Sequence, residues 1–231
     1  MNIQETVRPG SAKKHQALDE PEQRWPALVA LLCIGGLDLA LPSSLTVGPR
    51  WLPLLFVVVL LIPTIITYRA GNERLNHFFG HCVAGVVSVS LAMSVYLLVK
   101  ALPAHTEAAV QLLKSAILLW ITNVLVFASW YWRLDAGGPH MRDAVPGHED
   151  GAFLFPQMTM QQANGGLENK DGTLWSPQFI DYLFLAFNTS TALSPADTAV
   201  LSRWAKVLVM VQASISLTII VLLASRAVNI L

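Results

Sequence analysis

The sequence predicts an all-α, polytopic membrane protein with about five transmembrane helices and a re-entrant half-helix, or pore loop, before the last helix. Three observations support this fold class. Of the 231 residues, 54% are hydrophobic and 13% are charged, whereas roughly 25% charged residues are usual in a soluble domain. Apolar segments close to the length of a bilayer span recur along the chain. A shorter apolar run lies before the last of them, between two Ser-Pro dipeptides.

Four regions divide the chain. Residues 1–25 are polar and mixed in charge, and we expect a flexible tail because a signal peptide would reach its apolar core sooner. Residues 26–132 hold four transmembrane helices, residues 133–176 form a polar, glycine-rich loop, and residues 177–231 hold the half-helix and the last helix. We expect part of the loop to be poorly ordered. The predicted spans, of which the first is the shortest, cover residues 27–41, 51–68, 79–99, 115–132 and 207–225.

The distribution of Lys and Arg predicts the orientation. With five crossings, one face of the membrane holds eleven of the fifteen basic residues. The other face holds only Arg50, Lys100, Lys114 and Arg226. Cytoplasmic loops carry the excess of basic residues in membrane proteins. We therefore expect a multi-pass protein of the cell membrane, with its N-terminus and the 133–176 loop in the cytoplasm.

The segment from Ser176 to Asp197 is the most informative part of the sequence. Ser176-Pro177 is a typical helix start, and the apolar run over residues 179–187 is about half a membrane span. Four small polar residues follow, which we expect to form a polar turn, and Ser194-Pro195 predicts the start of a second helix that continues into the last span. This layout favours a re-entrant pore loop. The alternatives are an amphipathic helix on the membrane surface and a helix that only packs against the bundle.

The order of these elements from residue 115 onward resembles the pore module of potassium channels. The segment NTSTALSPAD contains no glycine, so it departs from the Thr-Val-Gly-Tyr-Gly filter, and potassium selectivity of that kind is not expected. The C-terminal part also resembles a group of bacterial five-helix membrane proteins without an assigned activity. That resemblance rests on YWRLDAGGPH, GAFLFPQM, FIDYLFLAFNTSTALSPADT and the final RAVNIL.

Candidate site residues follow from the pore-loop hypothesis. The filter-like residues, which could line a water-filled path or simply pack between helices, are Asn188, Thr189, Ser190 and Thr191. Residues at a pore mouth or helix cap are Asp181, Ser194 and Asp197, the last of which fits a helix cap better than an ion site. Arg133 and Asp135 form either a latch onto the loop or the last helix, or a snorkelling Arg beside a turn Asp.

Other classes of site have weaker support. His77 and His81 share a helix face with Cys82 beside them, but no third ligand is placed by the sequence, so interfacial packing is favoured over a metal site. No cofactor is predicted. The net charge of zero gives no basic excess for nucleic acid. A membrane enzyme is the weakest hypothesis, because no nucleophile with its base, paired carboxylates or metal triad is recognisable.

The leading hypothesis is a pore-loop membrane protein that passes ions or a small solute. A pore helix presents its negative C-terminal end to the cavity, which favours monovalent cations. Each chain offers one pore loop, so a path is enclosed only by a homo-oligomer in the lipid bilayer. The alternative is a non-transporting scaffold that binds a partner through the 133–176 loop. Gln212 and Ser216 share a face of the last helix, with Thr122 and Asn123 of the fourth helix as expected partners.

Overall fold

The computed structural model describes residues 22–104, 109–144, 151–163 and 175–228. Four of its helices are long and apolar enough to cross a membrane, which confirms a helical, multi-pass fold. The elements are α1 (Trp25–Ala40), α2 (Leu52–Arg69), α3 (Glu73–Ala104), α4 (Ala109–Leu134), α5 (Pro139–Ala144), β1 (Phe153–Leu154), α6 (Pro156–Ala163), α7 (Phe179–Ala192), β2 (Ala199–Val200) and α8 (Arg203–Val228). The four long helices are α2, α3, α4 and α8. Helix α1 has only 16 residues, fewer than the roughly 20 that a perpendicular span needs.

Helix α4 lies at the centre of the bundle. It packs against α1, α3, α7 and α8, and 61% of its most apolar stretch is buried, compared with 22% for α2 and for α8. Helix α2 buries one face, with Val57, Leu61 and Thr64, and exposes apolar side chains over the rest of its surface, as expected of an outer helix that faces lipid tails. The side chains that fix α7 therefore come mainly from α4.

One end of the bundle gathers four helix ends. The guanidinium of Arg24, just before α1, lies 4.3 Å from the centre of the Tyr68 ring at the end of α2. It also lies 2.8 Å from Nε2 of His140, which follows α4. The His140 ring contacts that of His77 near the start of α3, with 6.1 Å between ring centres. We call this end of the bundle the Arg24 end.

The predicted polar loop is partly folded onto the Arg24 end. The chain leaves α4 through Ala136, Gly137 and Gly138, all with positive φ, a conformation that glycine adopts without strain. The side chains of Phe153 and Phe155 are buried in the core. Residues 145–150 and 164–174 of this loop, and 1–21 of the predicted tail, lie outside the described residues.

Helix α7 runs along α4 in the opposite direction. The Phe179 ring contacts Trp132, near the end of α4, with 5.9 Å between ring centres. Helix α7 has 14 residues and is about 21 Å long. The Phe187 ring, in its second half, contacts Trp120, near the middle of α4, with 5.8 Å between ring centres. Helix α7 thus follows α4 for only part of its length.

The chain then returns to the Arg24 end before α8 begins. Strand β2 pairs with β1 in antiparallel fashion, with Val200 opposite Phe153. The Phe153 ring contacts Tyr131 of α4 at 5.0 Å and Trp204 of α8 at 6.1 Å. We call residues 193–202 the return segment. Both α7 and α8 therefore begin near the C-terminal end of α4.

The two Ser-Pro dipeptides do not start helices, so these predictions were wrong. Helix α7 starts at Phe179, and the backbone N–H of Gln178 donates to the Asp181 carboxylate at 2.8 Å. Helix α8 starts at Arg203, where Ser202 Oγ accepts the N–H of Ala205 at 3.3 Å. A carboxylate or hydroxyl that accepts these unpaired N–H groups decides where each helix begins.

The physical reason for the late start of α8 lies in the return segment. Leu193 and Ala196 have positive φ, 55° and 53°, which interrupts a helix for residues with a Cβ. The following residues form β2, and Leu201 N–H donates to Ala152 O at 2.8 Å. The pairing of β2 with β1, which lies about forty-five residues earlier, overrides the local helix signal at Ser194. The local sequence cannot show this contact.

Candidate functional site: helix α7 and its buried polar contacts

Asp135 fixes the start of α7. Its carboxylate is fully buried and accepts the Tyr182 hydroxyl of α7 at 2.6 Å. The same carboxylate accepts the backbone N–H of Ala152 at 2.5 Å. One side chain at the end of α4 therefore holds both the polar loop and α7, the role expected of a latch. Arg133, the other predicted latch residue, lies elsewhere, against Gly80 of α3.

A buried ion pair lies beside Asp135. Arg142 Nη2 lies 2.8 Å from Glu22 Oε2, and their side chains are only 2% and 5% exposed. Trp132 Nε1 also donates to Glu22, and Arg142 Nη1 donates to the carbonyl oxygen of Asp135 at 2.8 Å. Burial raises the pKa of Glu22, and the attraction of Arg142 opposes that shift. Buried charges of this kind need such partners, because unpaired they are costly.

A second group of buried polar side chains, which we call the polar seam, joins α4, α7 and α8. Gln212 Nε2 donates to Ala186 O at 2.7 Å and to Ser190 Oγ at 2.8 Å. Gln212 Oε1 accepts the Tyr131 hydroxyl at 2.5 Å. Every hydrogen-bonding atom of the Gln212 amide group thus has a partner, so this residue fixes α8 against both other helices.

Asn123 completes the polar seam. Its Nδ2 lies 3.3 Å from Ser216 Oγ and 3.4 Å from Ser190 Oγ, while its buried Oδ1 has no hydrogen-bond partner in the part of the chain that the structure describes. The expected contact of the last helix with Asn123 is present. Thr122 instead donates to Leu118 O in its own helix.

The four filter-like residues are the last turn of α7 and not a non-helical turn, so that part of the prediction was wrong. Thr189 Oγ1 donates to Leu185 O at 2.9 Å, and Thr191 Oγ1 donates to Phe187 O at 3.0 Å. Hydroxyls that bond back to the preceding turn allow Thr to remain in a helix. Thr189 and Ser190 are fully buried, whereas Asn188 is half-buried and Thr191 is exposed.

The three residues predicted at a pore mouth or cap lie at two places. Asp181 is at the start of α7, as described above. Ser194 and Asp197 are exposed on the return segment, and Ser194 Oγ accepts the N–H of Ala196 at 3.3 Å. Asp197 does not cap a helix, because α8 begins six residues later.

Two other groups of polar residues lie outside the polar seam. Asp38 of α1 is 1% exposed and accepts the Ser90 hydroxyl of α3 at 2.9 Å. The His77 and His81 rings lie 6.1 Å apart. Over the described ranges, no group of three His, Cys, Asp or Glu side chains could hold a metal ion.

Tyr182, Arg142 and Glu22 were missed by reasoning from the sequence. The sequence could have indicated Tyr182 as a site residue, because a buried tyrosine in an otherwise apolar helix needs a hydrogen-bond partner for its hydroxyl. Nothing in the sequence indicated the contact of Glu22 with Arg142, because the two residues are 120 positions apart in segments that look polar and solvated.

No protein-family model, curated protein or solved structure matches this chain.

Proposed function

We propose that this chain is a pore-loop protein of the cell membrane that passes monovalent cations or a small solute as a homo-oligomer. The observation that supports the proposal most is that α7 begins beside Trp132, ends beside Trp120 in the middle of α4, and is followed by a segment that returns to Trp204. If α4 spans the bilayer, α7 is a half-helix that enters and leaves on one side. That side is the cytoplasm in the orientation favoured by the basic residues.

The return segment supports a water-filled path at the surface of each protomer. Non-helical backbone at membrane depth is tolerated only where protein buries it or water reaches it. Thr191, Ser194 and Asp197 are exposed in the single chain, and exposed polar groups of this kind are unfavourable against lipid. Repetition of the chain around an axis removes that cost if these residues face a shared aqueous path.

This arrangement changes the roles of the filter-like residues. Thr189 and Ser190 hold α7 in place, and Thr191, Ser194 and Asp197 line the path. The C-terminal end of α7 carries the negative end of the helix dipole, and Asp197 adds a carboxylate, so the path favours cations. The order of half-helix, return segment and spanning helix is that of a potassium-channel pore module, without the glycine-containing filter.

Cation flux into proteoliposomes tests the proposal. We expect purified wild-type protein to carry monovalent cations, and Asp197→Asn to reduce cation flux by removing the charge. Glu73→Gln is the matched control, because Glu73 is an exposed carboxylate at the start of α3 and is not part of the return segment. No flux above that of empty liposomes for any cation or small solute would contradict the proposal, as would equal flux of the wild type and Asp197→Asn.

The burial of Thr189 and Ser190 favours a second candidate function. If α7 only stabilises the bundle, the chain is a non-transporting scaffold that binds a partner through the polar loop. Cross-linking separates the two: in a chain without Cys33 and Cys82, Ser194→Cys links neighbouring copies if the return segments face one axis. A scaffold would give only uncross-linked protein and no flux.

A further inference from the structure

A small cavity lies at the Arg24 end, on the side of the bundle away from the polar seam. Its volume is about 60 Å³, which is large enough for a compact polar group and more than one water molecule needs. Residues of the first four helices and of α5 line it: Arg24, Ala27, Leu28, Leu31, Thr64, Ile65, Tyr68, Asn76, Trp132, Arg133 and Pro139.

Arg133 is the first reason to expect an anion in this cavity. It is 8% exposed, and no hydrogen bond or ion pair of its guanidinium is present among the described residues. The Trp132 ring lies 5.7 Å away, and the charged group that acts on it most strongly is another cation, Arg24. A buried guanidinium without a carboxylate is costly unless an anion compensates its charge.

Gly80 creates the space for this guanidinium. A Cβ at Gly80 would overlap the terminal nitrogens of Arg133, whose side chain crosses the α3 backbone there. A side chain at this position would displace the charged group. The sequence thus places a glycine where Arg133 has to lie buried between α3 and α4.

Arg24 is the second reason. Its Nη2 donates to Asp143 at 2.8 Å and its Nη1 contacts His140 at 2.8 Å. Its Nε is buried and has no hydrogen-bond partner within the described ranges. Asp143 balances one of the two arginine charges, so the cavity retains one uncompensated positive charge and an unused N–H donor.

The opening of the cavity indicates where the anion comes from. Ile65 and Tyr68 are 36% and 46% exposed and lie on α2, whose outer surface is apolar. Leu28, which is half-buried, adds apolar surface beside them. A ligand that reaches the cavity from this side meets a lipid-facing surface first, which suits a molecule with a charged group and apolar chains.

We propose that this cavity binds the phosphate of an anionic lipid headgroup, held by Arg133 and Arg24, with the acyl chains outside against α1 and α2. Basic pockets between transmembrane helices bind lipid headgroups in this way. The phosphate would accept the free Nε–H of Arg24 and the N–H groups of Arg133, and would supply the missing negative charge. The site does not depend on the proposed transport function.

Lipid binding by the purified full chain tests the proposal. Native mass spectrometry and thermal unfolding are measured with phosphatidylglycerol, phosphatidylcholine or inorganic phosphate. We expect phosphatidylglycerol to bind and to raise the unfolding temperature, and phosphatidylcholine to do so much less. Arg133→Gln should weaken phosphatidylglycerol binding by more than about fivefold, the effect of one basic residue at a membrane surface. Arg69→Gln, an exposed arginine at the end of α2, is the matched control and should weaken binding by no more than that surface effect.

Two further variants keep the test decisive if Arg133→Gln cannot be purified. Gly80→Ala should weaken binding by displacing the guanidinium, and Arg24→Gln should weaken it by removing the free donor. Equal binding of both lipids, or unchanged phosphatidylglycerol binding in all the variants obtained, would overturn the proposal. An equal rise in unfolding temperature with inorganic phosphate alone would overturn the lipid assignment and indicate a site for a soluble anion.

Discussion

The Tyr182 hydroxyl donates a 2.6 Å hydrogen bond to the Asp135 carboxylate, and both side chains are fully buried. The bond joins the end of α4 to the first turn of α7. Because Asp135 also accepts the Ala152 N–H, it ties the polar loop to the same point. The position of α7 therefore depends on a residue outside the half-helix.

Tyr182→Phe should destabilise the protein by about 1–3 kcal/mol, because it removes a hydrogen bond to a buried carboxylate. Thermal unfolding of the purified protein in detergent measures the loss. Tyr96→Phe is the control. Because Tyr96 is 51% exposed on α3, solvent or lipid headgroups can replace the hydrogen bonds that its hydroxyl makes. Equal stability of Tyr182→Phe and the wild type would show that this bond does not hold α7.

Gln212→Leu should destabilise the contact of α8 with α4 and α7. Polar contacts between membrane helices contribute about 0.6 kcal/mol each on average, so the three bonds of Gln212 correspond to about 2 kcal/mol. Ser214→Ala, an exposed residue that bonds only within α8, is the control and should change unfolding little. If both variants unfold alike, the polar seam does not stabilise the bundle.

The sequence predicts the helices of this fold well because their signal is local. Apolar length identified α2, α3, α4 and α8, and the shared face of Gln212 and Ser216 predicted the contact with Asn123. The ends of α7 and α8 were missed, since the pairing of Val200 with Phe153 decides where α8 begins. Arg133 and Asp135 diverge because α4 extends through Leu134 and residues two apart along a helix do not share a face, whereas the predicted span ended at residue 132.

The free energy of unfolding should fall as the pH decreases, because protonation of His140 breaks its contact with Arg24. Burial and the nearby Arg24 lower the pKa of His140 below 6.5, and Nε2 can accept from Arg24 Nη1 only while the ring is neutral. A lowered pKa in the folded protein means that stability is present above pH 6.5 and is lost as pH falls toward the folded pKa. His140→Gln should flatten the pH dependence of the unfolding temperature. An unchanged pH profile would exclude this contact as the cause.

The proposed orientation can be tested by labelling intact cells in a chain without Cys33 and Cys82. Cysteines at Ala12 and Ala163 should not react with an impermeant thiol reagent added outside, because the excess of basic residues lies on their face. A cysteine at Ser43, which is exposed beyond the end of α1, should react and serves as the control. Labelling of Ala12→Cys and Ala163→Cys but not of Ser43→Cys would reverse the orientation.

The proposed path along the return segment is tested most directly at Ser194. Cation flux is measured in proteoliposomes that contain the Ser194→Cys variant without Cys33 and Cys82, before and after reaction with a charged, water-soluble thiol reagent. We expect the reagent to modify Cys at this position and to lower cation flux strongly, because the added group occupies the aqueous path. Flux that is unchanged although mass spectrometry shows complete modification would contradict the claim that Ser194 and the return segment line the path.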